Sequence, residues 1–388
     1  MKKVLLIVTF LYTFNFVYAQ ETNVITTAVP FLLVAADARA AGMGDNGVAS
    51  STDGFSQQWN PAKYAFATDQ QGFSVSYTPY LTELVNDISL AQLNYFYKYS
   101  EKSAFGASFR YFGLGDIDLR TDYDSPVLVV SPNEFALDLS YSLKLSEKFS
   151  MAVAGRFINS NLKVATDNND SSSSSSFAVD VAGFYQSEEI AYNDFNGRWR
   201  AGFNFQNMGP KMSYDNDDIN RNFLPANMKL GGGFDFILDE YNKVAVNLEV
   251  SKLLVPTPQN SDLNGDGNTT PEEEKQNNDS YNNIGWFQGI FKSFADAPGG
   301  FSEELKEVTY SLGSEYVYQD AFSFRAGYFY ENPNKGAREY FSLGAGFKYS
   351  TIKIDVSYLF STSKVQNPLE NTLRFSLSFN FGEKYENY

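Results

Sequence analysis

Cysteine and histidine are both absent from this 388-residue chain. Without histidine, Ser-His-Asp and Cys-His nucleophile systems and His-ligated zinc sites are excluded. Without cysteine there is no disulfide, so stability must come from backbone pairing and packing. Carboxylate pairs of the glycosidase kind remain formally open, but nothing in the sequence pairs any two of them. Positive charge is scarce as well: 30 Lys and Arg stand against 46 Asp and Glu. That balance disfavours nucleic acid as a partner. After the first twenty residues no apolar run approaches the ~20 residues of a spanning helix.

The start of the chain is built differently. Lys2 and Lys3 precede an apolar run, Val4 to Val17, and Val17-Tyr18-Ala19 offers a small-residue cleavage site. Residues 1–19 therefore read as a secretory signal peptide. Asn15 and the short run argue against a membrane anchor.

Aromatic residues are abundant, 35 Phe and 26 Tyr, and they fall on one face. In 133–144, Phe135, Leu137, Leu139, Tyr141 and Leu143 alternate with Ala136, Asp138, Ser140, Ser142 and Lys144. In 351–361, Ile352, Ile354, Val356, Tyr358 and Phe360 alternate with Lys353, Asp355 and Ser357. Fourteen such segments are expected: 72–79, 88–99, 103–113, 133–145, 148–159, 175–186, 198–206, 227–238, 242–252, 307–319, 321–331, 338–349, 351–362 and 371–381. Their length suits a tilted membrane strand, and the pattern is apolar-out, polar-in. The expected fold is all-β: a fourteen-stranded antiparallel transmembrane β-barrel in the outer membrane, lipid around it, both termini periplasmic. A soluble β-sandwich also alternates, but its apolar face need not be so aromatic. Links alternate short and long, and the long ones should lie outside the cell. Parity puts Arg110, Asp138, Arg156, Asp180, Arg200, Lys229, Glu249, Glu315, Arg325, Asp355 and Arg374 inward. Their mixed signs predict internal ion pairs rather than a selectivity ring.

Residues 20–70 do not alternate. An apolar run, Val29 to Ala36, leads to Asp37 and Arg39, three glycines, and Gln57-Gln58-Trp59-Asn60-Pro61. Gly42, Gly44 and Gly47 fit the spacing of a dinucleotide loop, but no βαβ context surrounds them. Close backbone approach and positive φ explain them better. A barrel of fourteen strands is wide enough to need a filler. The expected division is thus a signal peptide 1–19, a hatch 20–70 inside the lumen, and a barrel 71–388 with the long outer loop 253–306.

That loop carries two motifs. Asp262, Asn264, Asp266, Gly267, Asn268 and Glu273 match the calcium-loop spacing, with Glu273 at the bidentate position. No flanking helix is evident, since Asn277, Asn278 and Asp279 follow soon after. Further on, Phe287, Ile290, Phe291 and Phe294, next to Trp286, share one helical face. They read as a hydrophobic finger for a partner or lipid, or as a helix capping the barrel mouth. Residues 167–176, rich in serine, need no fixed structure.

The stretch AVPFLLVAADARAAGMGDNGVASSTDGFSQQWNPAKYAF, residues 28–66, resembles the N-terminal signature of the PorV family of the type IX secretion system. The related PorQ family, which lacks the Ala-Val-Pro-Phe-Leu and Trp-Asn-Pro-Ala-Lys elements, is the second choice. The resemblance implies a FadL-like barrel with an N-terminal hatch and no catalysis. It implies binding to cargo proteins with a C-terminal secretion domain at a SprA-like translocon, and their transfer to a PorU-like sortase. It carries no residue-level cargo site onto this chain. Two other classes stay open: a FadL-like transporter of hydrophobic solutes, which the charged inward positions oppose, and a surface hydrolase.

Overall fold

The computed structural model describes residues 24–385, apart from 83–84, 86, 121–126, 163–172, 215–220, 364 and 366. The signal-peptide expectation and most of the serine-rich stretch lie outside these residues.

Strict alternation produces long strands wherever it was read. They are β1 (Asp69–Pro79), β2 (Ile88–Lys98), β3 (Ser103–Leu114), β4 (Asn133–Ser146) and β5 (Phe149–Asn161). Then come β6 (Ser174–Gln186), β7 (Asn196–Met208), β8 (Asn227–Ile237), β9 (Asn242–Leu253) and β10 (Val308–Tyr318). The last four are β11 (Phe322–Tyr330), β12 (Glu339–Tyr349), β13 (Ile352–Ser361) and β14 (Leu373–Lys384). Each pairs antiparallel with its neighbours in sequence, and β1 pairs with β14, from Gln71 opposite Phe381 to Tyr77 opposite Phe375. The result is a closed fourteen-stranded antiparallel barrel. Closure removes the unpaired edges that lipid cannot satisfy. Among the described residues no helix is long and apolar enough to cross a membrane.

The turns at one end are tight. Gln319 and Asp320 both have φ above 50°, the twist that two-residue hairpins require. The link after β6 folds Ile190–Ala191 back onto the start of β7. The other end carries the long links, including a two-stranded ribbon, Ile117–Leu119 with Leu128–Val130.

Parity decides facing. Leu139 is 64% exposed and Asp138 only 2%. Replacing Leu139 with arginine is expected to cost about 2–4 kcal/mol near the bilayer midplane. Its neighbour Ser140 is no tolerant control, because its hydroxyl donates to Gln57 Oε1 at 2.6 Å inside the lumen. Ser323 is the better one, facing a cavity of about 360 Å³. Ser323→Arg should cost less than Leu139→Arg, since the lumen face carries charge. Refolding into bilayers in a urea series measures both; equal costs would contradict the assigned faces.

The chain before β1 lies among these inward side chains. Ala38 N donates to Ser376 Oγ, Gly44 N to Ser342 Oγ, and Gly47 N and Val48 N to Glu249 Oε2. Ser150 donates to Ala62 O, and Asn204 to Trp59 O. Contacts thus come from β5, β7, β9, β12 and β14. Gly44 shows why glycine stands here. Its φ is 74°, and a Cβ would meet the Tyr328 backbone at 2.8 Å.

Candidate functional site: the filled lumen and the outer platform

Charge fills the middle of the lumen, and much of it is held in ion pairs. Arg39 sets Nη2 2.7 Å from Glu315 and Nη1 2.7 Å from Asp53. Glu315 also accepts from Arg325 Nε at 2.8 Å, and Arg325 lies 2.8 Å from Asp355. Arg156 bridges Asp138 at 2.6 Å and Asp180 at 3.0 Å. Lys229 reaches Glu249 at 2.9 Å and sits over the Trp59 ring. Arg374 reaches Asp45 at 3.2 Å. Opposite signs alternate through the interior, so among the described residues no ring of one sign forms.

The long-link end of the lumen is apolar instead, and it is occupied. Phe31 stacks on Phe112 with centroids 6.0 Å apart. Phe31 and Leu32 join Leu90, Ile158, Met212 and Leu224 in one buried cluster. Arg110 donates to Leu32 O at 2.9 Å. The apolar run Val29 to Ala36 therefore fills the apolar part of the lumen, out of reach of water.

Loop 253–306 is folded and clamped. Lys252 on β9 binds Glu304 at 3.0 Å and Glu307 at 2.6 Å. Lys335, from the link between β11 and β12, binds Glu307 at 3.0 Å. Thr257 donates its hydroxyl to Glu307 at 2.6 Å. Burial, with Glu304 and Glu307 nearby, pushes the Asp296 carboxyl up to about 6.

Two helices ride on this clamp: α1 (Pro271–Asn282) and α2 (Trp286–Lys292). The first corrects the expectation that no helix follows the acidic loop. Thr270 and Glu273 form a reciprocal capping box, Pro271 opens the helix, and Glu272, Glu273 and Glu274 favour its N-terminal dipole. That start signal outweighs Asn277, Asn278 and Asp279. It also turns Glu273 away from the loop: its Oε2 accepts from Thr270 N and Thr270 Oγ1. Asp262 accepts from Gly265, Asp266 and Gly267 N–H groups, Asn264 from Asp266, and Asp266 from Asn268. Among the described residues no three acidic groups converge enough to hold a metal ion. The spacing matches a calcium loop; the side-chain positions do not yet form one.

On α2 the sequence reading needs another correction. Phe287 is 61% and Phe291 64% exposed, and their rings meet edge-to-face at 5.2 Å. Phe294 and Trp286 are exposed as well. Ile290 is not: it packs on Ala226 and Leu254. The buried stripe of this short helix is Gly289, Ser293 and Ile290. A Cβ on Gly289 would meet the Phe223 ring at 2.8 Å. Small residues mark the packed side because they let the helix approach the barrel. The aromatic side faces away. Gly289 was the available signal, and it was masked by the stronger aromatic pattern.

Comparison with known proteins fits this architecture. No curated protein matches the chain. Among solved structures it is similar to the CymD monoaromatic hydrocarbon channel, with 14% identity, a TM-score of 0.50, and 90% of this chain and 98% of that chain covered. The P. putida toluene transporter TodX matches with 11% identity, a TM-score of 0.50, and 90% and 99% covered. At such identities the likeness shows a shared barrel fold alone. The model for "Type IX secretion system protein PorV" matches residues 17–260, more than half of the chain and including the whole lumen segment. The chain belongs to the PorV family, an outer-membrane β-barrel component of type IX secretion.

Proposed function

We propose that this protein binds the C-terminal β-domain of cargo at a SprA-like translocon and passes it to a PorU-like sortase, without catalysis. The observation that carries this reading is the exposed aromatic group Trp286, Phe287, Phe291 and Phe294, held on a clamped platform at the long-link end. Aromatic anchors on a rigid support dominate interface energies. Ile290 serves as the platform's fastening and not as a contact. The segment 20–70 acts as a hatch that closes the lumen, so exchange takes place on the outer face.

FadL-like transport of hydrophobic solutes is the alternative, favoured by the fold likeness alone. Against it, the apolar part of the lumen is filled by the protein's own Phe31 and Leu32. The cavity beside them, between Leu33, Trp59 and the clamp, is about 80 Å³, smaller than the ~150 Å³ apolar cavity that binds benzene, and the larger cavity of about 360 Å³ is lined by Arg39, Asp53, Glu315 and Lys353. A strain lacking the protein is expected to retain cargo with its C-terminal domain uncleaved and to take up long-chain lipids normally. The reverse pattern would favour the transporter.

Calcium at the 262–273 loop is an accessory proposal. Asp262, Asn264, Asp266 and Asn268 would supply the other oxygens, and Glu273 must leave its capping contact. Extracellular modules work at ~10⁻⁴–10⁻³ M affinity. Calcium is expected to slow protease cleavage within 262–282, and Glu273→Gln to abolish that protection. Equal cleavage in chelator would leave a plain polar loop before a capped helix.

A further inference from the structure

We infer that the lumen segment is threaded from the cell-surface end of the barrel, so that its leading arm, residues 24–28, is accessible outside the cell. The sequence reading had placed this end in the periplasm. Contacts at both ends of the segment argue otherwise. Ala28 N donates to Phe223 O at 2.9 Å, and Phe223 belongs to the long link between β7 and β8. Ile25 lines the outer cavity together with Lys252, Glu307 and Lys335, the residues that clamp loop 253–306. The far end of the segment reaches the opposite rim: Asp69 pairs with Lys384, and Lys98, beside the tight turn after β2, donates to Ala67 O at 2.7 Å.

The chain therefore runs the full depth of the barrel between residues 24 and 69. A hydrocarbon core of ~30 Å needs only about nine extended residues, so the rest can coil and fill the lumen. Exposure falls steeply along the arm, from 41% at Val24 to 4% at Ala28 and 1% at Val29. Val29 marks the bend into the lumen. It is β-branched yet has a φ of 45° and a ψ of 51°, a conformation such residues adopt only when packing over-determines it.

Phe223 is the hub that holds the arm. Its carbonyl takes the Ala28 N–H, and its ring meets Tyr281 of α1 edge-to-face at 5.5 Å. Lys211 sits over the same ring at 3.9 Å and donates to Asn282 O at 3.0 Å. The outer platform and the lumen segment are thus fastened through one residue.

The chain has no native cysteine, so single-cysteine labelling is clean. Val24→Cys is expected to react with a membrane-impermeant maleimide in intact cells, and so is Gln288→Cys on α2, the control for the outer face. Ser350→Cys, in a tight turn, should react only after permeabilisation. Heat-modifiability on gels checks that each barrel is folded. Reaction at position 24 only after permeabilisation, or in neither state of the folded protein, would overturn the inference. Intact-cell reaction at 350 but not at 288 would also overturn it, by inverting the barrel; it leaves the family's secretion role untouched. Phe223→Ala keeps the carbonyl that takes the Ala28 N–H but removes the ring that Tyr281 and Lys211 hold in place, so Ala28→Cys should react slowly, and about tenfold faster when Phe223→Ala is added, because the carbonyl is no longer fixed. An unchanged rate would remove Phe223 as the hub.

Discussion

Replacing Glu315 with alanine is expected to destabilise the folded protein by about 3–5 kcal/mol. Glu315 is the shared acceptor of two buried guanidinium groups. It takes Arg39 Nη2 at 2.7 Å and Nε at 3.1 Å, and Arg325 Nε at 2.8 Å. Its side chain is 6% exposed, so water cannot replace what is lost. Arg39 keeps Asp53 and Arg325 keeps Asp355, yet the interior gains one uncompensated positive charge. Because Arg39 belongs to the lumen segment and Glu315 to β10, the substitution also unfastens that segment from the wall. Bilayer refolding should report the lost stability, and single-channel recording should report raised conductance. The comparison is Lys243 with Asp320, a pair at 3.0 Å whose side chains are 40% and 65% exposed. Breaking that pair should cost between nothing measurable and about 1 kcal/mol. Equal effects at the two sites, with conductance unchanged, would mean that the interior pairs do not hold the segment.

The second large effect concerns function rather than stability. Changing Phe287 and Phe291 together to serine removes two rings that touch each other, the exposed Trp286 and solvent. The barrel should remain folded and heat-modifiable, since Ile290 and the Lys252–Glu307 clamp that anchor the platform are untouched. Binding should collapse. Truncating a central aromatic anchor costs about 2 kcal/mol or more, roughly thirtyfold in affinity for each ring. A transient hand-over depends on few anchors and cannot absorb that loss. The expected phenotype is failure to co-purify with the translocon, or cargo left with its C-terminal domain uncleaved. Normal secretion by this variant would move the contact away from α2. By contrast, Ile290→Ala should act through the fold, loosening loop 253–306 before any partner is met.

The wall of the barrel was legible because lipid and lumen impose opposite demands on successive residues. Leu139 and Asp138 face apart for the same reason that their side chains differ. The signs of the inward charges were legible too, through parity. Their partners were not: Arg39 and Glu315 are 276 positions apart, and only barrel closure brings them together. The three glycines could be read as close-approach positions, and Gly44 against the Tyr328 backbone bears this out. Two local features misled. Asn277, Asn278 and Asp279 suggested a loop, although Thr270, Pro271 and Glu273 already spelled a helix start. On α2 the apolar pattern grouped Ile290 with the phenylalanines, whereas small residues, Gly289 and Ser293, decided which side lies down. The direction in which the lumen segment enters was invisible, since an apolar run says that it must be buried but not from which end.

The central claim is that this barrel works as a secretion carrier. It is tested most directly by isolating the tagged protein from its native outer membrane in mild detergent and identifying what travels with it. The carrier reading predicts a large translocon and cargo that still retains its C-terminal domain, both lost in the Phe287 and Phe291 double variant. Recovery of the barrel alone, or with bound hydrophobic solutes and no secretion component, would contradict it.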